Sequence, residues 1–472
     1  MLFNSFYFLL FFPVVTILYF LLPHKWRWLH LLLASCIFYC AFIPVYILIL
    51  FFTIIIDYFA GIYIEQSQGK RRKRFLILSI VANVGVLAVF KYFNFLIGNM
   101  NALMESLHLS TQPLPLLGII LPIGLSFHTF QAMSYTIEVY RGHQKAERHF
   151  GIYALYVMFF PQLVAGPIER PQNIMHQFRE KHAFNNDDAV HGLRLMLWGF
   201  FMKVVVADRL GLYVNAVYGN ISNHNGTTLL LATILFSFQI YCDFAGYSYI
   251  AIGAARVMGF RLMTNFNRPY FASSVTTFWK RWHISLSTWF RDYVYIPLGG
   301  NRVSQSRHFF NLFLVFMLSG LWHGANWTFV IWGSLNGIYL IIESLFHQKK
   351  KERSLRASRV KRLAGIAFTF ILITFSWIFF RASSLGDALT IIKKIGTTTG
   401  GKPFLSWGNL AYSFFALFIL LLVETGCEKH HGKFYLAEHN KAWVRFSWYL
   451  ALILMILLLG VFDGGQFIYF QF

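Results

Sequence analysis

Long stretches almost free of charge alternate with short polar and basic tracts along the whole chain, a pattern that predicts helices crossing a membrane. Leu2 to Leu22, Phe75 to Ile97 and Leu363 to Phe380 approach or exceed the roughly 20 apolar residues a helix needs to span a hydrocarbon core. Roughly eleven or twelve crossings follow from this criterion, and the predicted fold is an all-α polytopic membrane protein. Leu2 to Leu22 reads as the first crossing, because no basic segment precedes it and no small-residue cleavage pattern follows.

Three segments break the pattern. In Tyr153 to Pro171 an apolar run is interrupted by Pro161, Gly166, Pro167 and Pro171, which predicts a re-entrant dip sheltered by protein. Phe278 to Gly300 mixes aromatic residues with Lys280, Arg281, Arg291 and Asp292, too charged to cross, and predicts an interfacial helix. Phe309 to Ile342 holds no Asp, Glu, Lys or Arg and lies between Arg307 and the basic tract beginning at Lys349, so it predicts a hairpin with both ends cytoplasmic. Its middle reads SGLWHGANW. About fourteen residues from Arg307 to this break climb roughly 21 Å, short of a core of about 30 Å, which places His323 inside the membrane at a helix break.

Composition agrees with lipid as the solvent: of 472 residues, 57% are hydrophobic and 13% charged, where soluble chains carry about a quarter charged. The four cysteines, Cys36, Cys40, Cys242 and Cys427, lie in or beside apolar segments and predict small packing side chains rather than disulfides. A net charge of +22 suggests nucleic acid until placement is considered. The basic residues cluster at Lys70 to Arg74, Arg141 to Arg148 and Lys349 to Arg362, between apolar runs, as cytoplasmic loops facing anionic lipid do. Gly98 to Pro115 and Tyr213 to Thr227 hold no Lys or Arg and face outward, with both termini outside. The chain reads as one integral-membrane domain, with amino-terminal helices over 1–137, a core over 150–346 and further helices over 363–472. No extracytoplasmic domain is expected, and no internal repeat is visible.

Ionisable side chains inside a bilayer are functional candidates by default. His323 leads, as an imidazole that desolvation keeps neutral and available as a base; the plainer alternative is a histidine bonded to a helix carbonyl. His283 could be an ordinary boundary residue beside Trp282. Asp243 requires a cationic partner, expected to be an arginine, in a structural pair. Glu169 and Arg170 could line a cytoplasmic entrance. His182 and Asp187 match an HxxxxD spacing by chance within a polar loop, and His430-His431 lacks further ligands for a metal.

Several longer motifs coincide with a known family. LPIGLSFHTFQAMSYTIEVYRG from Leu121, FFPQLVAGPIERP from Phe159, KVVVADRL from Lys203, FNRPYFASSVTTFWKRWHISLSTWFRDYVYIPLGGNR from Phe266, LSGLWHGANWTFVIWG from Leu318 and the terminal QFIYFQF together resemble the membrane-bound O-acyltransferase family, in its bacterial alginate O-acetylating branch. The resemblance covers nearly the whole chain. It implies a membrane-embedded funnel in which a cytoplasmic acyl thioester meets an extracytoplasmic acceptor. The family's invariant histidine maps onto His323 and a second active-site histidine onto His283. Trp322, Asn326, Trp282, Arg281 and Asp243 are expected along the funnel, with Lys280 and Arg291 toward the donor. Where family members often read DFSGYSDMA, this chain has DFAGYSYIA from Asp243, with Ala245 and Tyr249 replacing a hydroxyl and a carboxylate.

The expectation is acetyl transfer from acetyl-CoA as substrate, with no resident cofactor or metal, in a bacterial inner membrane. A separate extracytoplasmic acetyltransferase partner would pass the group to a polysaccharide; membrane lipid is the other partner and nucleic acid is not. D-alanyl transfer to a cell-wall polymer, a polysaccharide transporter and a non-catalytic scaffold are the rival readings. The irregular elements gather between residues 150 and 330 rather than in paired halves, against the transporter.

Overall fold

The computed structural model describes residues 1–109, 112–119, 121–164, 166–348, 359–398, 400–404, 407–430, 432, 434, 436–462, 467 and 468. The expectations for residues 349–358 of the basic tract, for His431 and for most of the terminal motif lie outside these. Among the described residues the chain is helical, without strands. Eight helices among the described residues are long and apolar enough to cross a membrane, and Phe6–Leu21 adds a shorter apolar one. The difference from eleven or twelve has a simple origin. Helices such as His24–Cys40 and Leu125–Arg141, at 17 residues each, are shorter and carry polar side chains along their length.

The described residues sort into two compact units. The first comprises Met1–Leu193 with Ala251–Met263. It contains the segment predicted to dip and return: Phe150–Met158 breaks at Phe159 and resumes as Phe160–Leu163, and every residue from Gly151 to Val164 is buried. Protein encloses the irregular backbone, as polar groups at depth require. Glu169 is also fully buried here, where its carboxylate accepts from the Met263 amide and Asn173 Nδ2. It braces the turn rather than lining an entrance. His182 Nε2 meets the Gln177 carbonyl at 2.9 Å and its ring packs on Phe260, a packing role that matches the chance reading of its spacing to Asp187.

The second unit comprises Arg194–Ile250 and Thr264–Phe472. The predicted hairpin is present as Gln305–His323 and Trp327–Gln348, reversing over residues 324–326. Glycine makes this pairing close. A Cβ on Gly320 would stand 2.2 Å from the Phe329 carbonyl oxygen, and one on Gly333 would stand 2.3 Å from that of Phe316, so the two backbones touch where any side chain would separate them.

The predicted interfacial helix over Phe278 to Gly300 is corrected: it is two short helices, Val275–Trp279 and Ile284–Phe290, followed by a π-helical turn over Arg291–Tyr295. His283 stands at the break with φ 41° and ψ 56°, in the left-handed region that non-glycine residues enter only at a cost of about 1 kcal/mol or more. The strain is offset locally, because this turn directs the Ile284 amide onto the Asn265 carbonyl at 2.9 Å.

Candidate functional site

Asn265 organises the second half of that broken segment. Its Oδ1 accepts from the Ser285 hydroxyl at 2.9 Å, the Ser285 amide at 3.2 Å and His283 Nδ1 at 3.2 Å, while its Nδ2 donates to Ser248 Oγ at 3.1 Å. An amide oxygen only accepts, so the hydrogen of a neutral His283 belongs on Nδ1 and the lone pair on Nε2. Burial pushes the imidazole down to about 3 from its ordinary 6.5, so His283 is neutral across the physiological range. Phe244 stands edge-on to the ring at 4.5 Å.

His323 enters from the other side as the last residue of the first hairpin helix. Its ring packs edge-on to Trp322 at 4.9 Å, Trp332 at 5.0 Å and Phe380 at 5.5 Å, and its centroid lies 6.5 Å from that of His283. The two histidines are 4% and 1% exposed, so a pair of imidazoles shares one buried, aromatic-walled place. Both line a cavity of about 950 Å³.

The shape of that cavity follows the hairpin. His308, Leu312, Val315, Phe316, Ser319 and His323 all line it from one face of a single helix. From His308 to His323 that stripe rises about 22 Å. The rim at the His308 end carries Lys280, Arg291 and Asn301, all exposed, with Glu343 as its acid. The cavity therefore runs from a cation-rich opening to the buried histidine pair.

Of the residues expected along the funnel, Trp282 lines this cavity, together with the two histidines and with Lys280 and Arg291, which are expected toward the donor. The others serve the frame. Trp322 is buried against the His323 ring. Asn326 caps the second hairpin helix, accepting from the Thr328 amide at 3.0 Å and donating to the Ser383 carbonyl at 3.3 Å. Arg281 shares the Glu428 carboxylate with Arg268 and Arg362, at 2.9 to 3.2 Å.

Asp243 has its cationic partner, but it is a lysine: Lys203 Nζ lies 2.6 Å from Asp243 and 2.7 Å from Asp208, all three buried. A second oxygen of Asp243 accepts from the Ile468 amide at 2.7 Å, fastening the end of the described chain. The sequence also places Asp243 along the funnel, and it is not among the residues that line this cavity.

Two groups escaped the sequence reading. Asn265 sits one residue before the FNRPYF motif, and nothing in hydropathy or spacing marks it. Trp279 lines the cavity and Trp332 stands beside His323; both hold buried indole N–H groups with no acceptor among the described residues. Orphaned buried donors beside a cavity are what a substrate carbonyl requires.

A family model described as MBOAT, membrane-bound O-acyltransferase family, matches residues 143–385. The chain is 40% identical over 388 residues to "Probable alginate O-acetylase AlgI" of Pseudomonas aeruginosa, covering 82% of this chain and 73% of that protein. It is 34% identical over 499 residues to "Peptidoglycan O-acetyltransferase" of Helicobacter pylori, covering 96% and 92%. Identity to "Teichoic acid D-alanyltransferase" of Bacillus subtilis is 28% over 272 residues, covering 55% and 68%. The matched stretch contains both histidines, the hairpin and the whole lining of the cavity. This multi-pass helical chain belongs to the membrane-bound O-acyltransferase family of enzymes.

Proposed function

We propose that this protein takes an acetyl group from cytoplasmic acetyl-CoA and delivers it to a hydroxyl of a cell-surface or secreted polysaccharide, through an extracytoplasmic partner protein, across a bacterial inner membrane. One observation carries the reading: two buried histidines share the floor of a cavity whose cation-rich rim lies about 22 Å away along a single helix face. Cations at the rim suit the phosphates of CoA, and the length suits an extended pantetheine arm with its thioester at the histidines.

His323 acts as the base. Its imidazole takes the proton of the acceptor hydroxyl while the oxygen attacks the thioester carbonyl carbon, forming the new C–O bond. The tetrahedral oxyanion then collapses, the C–S bond breaks, and the departing thiolate recovers the proton from the imidazolium. His283 has its lone pair on Nε2 and accepts a hydrogen bond from substrate, which makes it a positioning group; a neutral imidazole with Nδ1–H on Asn265 has no second hydrogen to offer an oxyanion. The Trp279 and Trp332 indoles supply donors for that charge instead. A dry site also keeps water from hydrolysing the thioester.

Acetyl rather than D-alanyl transfer is favoured by the coverage of the relatives: the O-acetylating proteins match 82% to 96% of this chain and the D-alanyl one 55%. The test is transfer of labelled acetyl from acetyl-CoA by protein in nanodiscs, with partner and acceptor supplied. His323→Ala should reduce transfer by about 10² to 10⁴, the worth of a general base, while the variant remains folded. Transfer at the wild-type rate by a folded His323→Ala protein removes the assignment.

A further inference from the structure

Of the eight candidate spanning helices, Ala442–Leu459 has the least protein around it: among the described residues Leu452 is the one buried member, and the principal neighbour is the stretch Phe201–Ala207. Between this helix and Trp407–Lys429 lies a cavity of about 250 Å³. Leu422, Val423 and Gly426 wall it from the earlier helix, Trp448 from the last one, and Phe434 and Ala437 from the segment that joins them. Gly426 makes the space. Gly320 and Gly333 lack side chains where another backbone touches them, whereas a Cβ on Gly426 would meet nothing within 4 Å. Glycine inside a helix is less stable than alanine, and here no close approach requires it.

The end of the cavity is basic. From residue 429 to residue 445 the sequence carries Lys429, Lys433, Lys441 and Arg445 against one acid, Glu438. Such a tract marks the cytoplasmic leaflet, where anionic headgroups lie, and Trp443 and Phe446 stand exposed beside it as interfacial aromatics do. Leu422 lies about 10 Å along its helix from Lys429, so the hollow reaches from headgroup level to acyl-chain depth. Leu422 is also exposed, which brings the wall of the hollow to the lipid-facing surface. An apolar hollow there is filled by acyl chain, because lipid is the solvent and a void forfeits dispersion contacts.

Arg194 borders the joining segment. Its guanidinium lies 5.7 Å over the Tyr449 ring, whose hydroxyl donates to the Ala437 carbonyl at 2.8 Å. One turn further along the same helix, Trp198 packs against Phe434 at 5.9 Å. Arg194 Nε is buried without an acceptor, and among the described residues no acid pairs with this side chain. An oriented guanidinium whose charge no protein acid balances suits a phosphate.

We propose that this place holds one anionic phospholipid of the cytoplasmic leaflet, with an acyl chain beside Gly426 and its phosphate on Arg194. Lys429 and Lys441 add a diffuse attraction for the headgroup. The lipid completes the packing that protein leaves unfinished around the last helix. The site lies outside the cavity of the two histidines and stands independently of the transfer reading.

Native mass spectrometry of the full chain reads the site. The protein is released from mixed micelles holding equal amounts of dioleoyl phosphatidylglycerol and dioleoyl phosphatidylethanolamine, and in a parallel sample phosphatidylglycerol and oleate. Wild type should retain phosphatidylglycerol about tenfold more than phosphatidylethanolamine or better, the range of a charge-assisted pair. Arg194→Gln should retain the two lipids equally, and Arg194→Lys should keep part of the preference, because it retains the charge without the planar fork. Lys70→Gln, in a basic tract of the other unit, should match wild type. Gly426→Leu fills the hollow and should retain neither lipid. Thermal unfolding checks the same point: phosphatidylglycerol should raise the midpoint of wild type and leave that of Gly426→Leu unchanged, since a ligand stabilises only a protein that binds it. Equal retention by wild type, an undiminished preference in Arg194→Gln, a loss of preference in Lys70→Gln, or wild-type retention by Gly426→Leu overturns the proposal. Preference for oleate overturns it in favour of a free fatty acid. Should Gly426→Leu fail to fold, Arg194→Gln decides alone.

Discussion

Removing the side chain of Asn265 tests whether the tautomer of His283 matters, because that one amide oxygen accepts three of the hydrogen bonds that fix the turn. In Asn265→Ala the Ser285 hydroxyl can rotate, but the His283 N–H and the Ser285 amide lose their acceptor in a dry interior. Orphaned buried donors cost about 1 to 3 kcal/mol each, so the direct cost is about 2 to 6 kcal/mol. The imidazole has an escape: with its hydrogen moved to Nε2, Nδ1 accepts from Ser285 Oγ, 3.5 Å away. That escape recovers stability and sacrifices the lone pair facing substrate. The expectation is therefore a loss near the lower end, about 2 to 3 kcal/mol, with acetyl transfer falling about a hundredfold or more.

Asn265→Asp separates the two effects. A carboxylate still accepts from Nδ1–H, but its charge raises the His283 pKa from about 3. The neutral form is the working one, so activity is lost as pH falls through the raised value, and an acid limb should appear between about pH 5 and 7 where wild type has none from this group. The same linkage acts on the fold. His283 is held neutral, so its contribution is present above the ordinary 6.5 and declines as pH falls toward 3, by up to about 1.4 kcal/mol per unit. Thermal unfolding and transfer rates over pH 4 to 8 measure all three proteins. Asn265→Ala with more than a tenth of wild-type transfer, or Asn265→Asp with a wild-type pH profile, would refute the reasoning.

Two further outcomes concern the frame. Gly320→Val places a side chain where a Cβ already falls 2.2 Å from the Phe329 carbonyl, so the hairpin helices must part; a loss of about 2 to 3 kcal/mol is expected by thermal unfolding, along with most transfer. Lys203→Met leaves Asp208 and Asp243 buried without their cation and should cost about 3 to 5 kcal/mol, and adding Asp243→Asn should restore part of it.

Hydropathy made the hairpin and the helix break at His323 legible, because an absence of charge from Phe309 to Ile342 between two basic flanks leaves only one way to fold it against lipid. The same reasoning failed at His283. FWKRWHISLSTWF contains no glycine or proline to announce a left-handed turn, and the bonds that offset its strain come from Asn265, 18 residues earlier. A partner supplied by tertiary folding leaves no local periodicity. Asp243 illustrates the same limit: burial of a carboxylate in an apolar helix demanded a cation, but only packing decided that Lys203 would reach it. The resemblance to a family located both histidines by number, whereas the split between cavity residues and supporting residues required the coordinates of the hairpin.

The backbone contact between Gly320 and Gly333 welds His323 to a stiff pillar. A pump must rock to carry its cargo past a barrier, and such a pillar argues for the opposite economy: the catalyst stands still while its reagents come to it. On the function proposed above, the group would change compartments by changing the molecule that owns it, driven by the reactivity of its thioester. A slender plug lodged in the cavity of residues 274–344 would then compete with the proposed donor at its cation-rich rim.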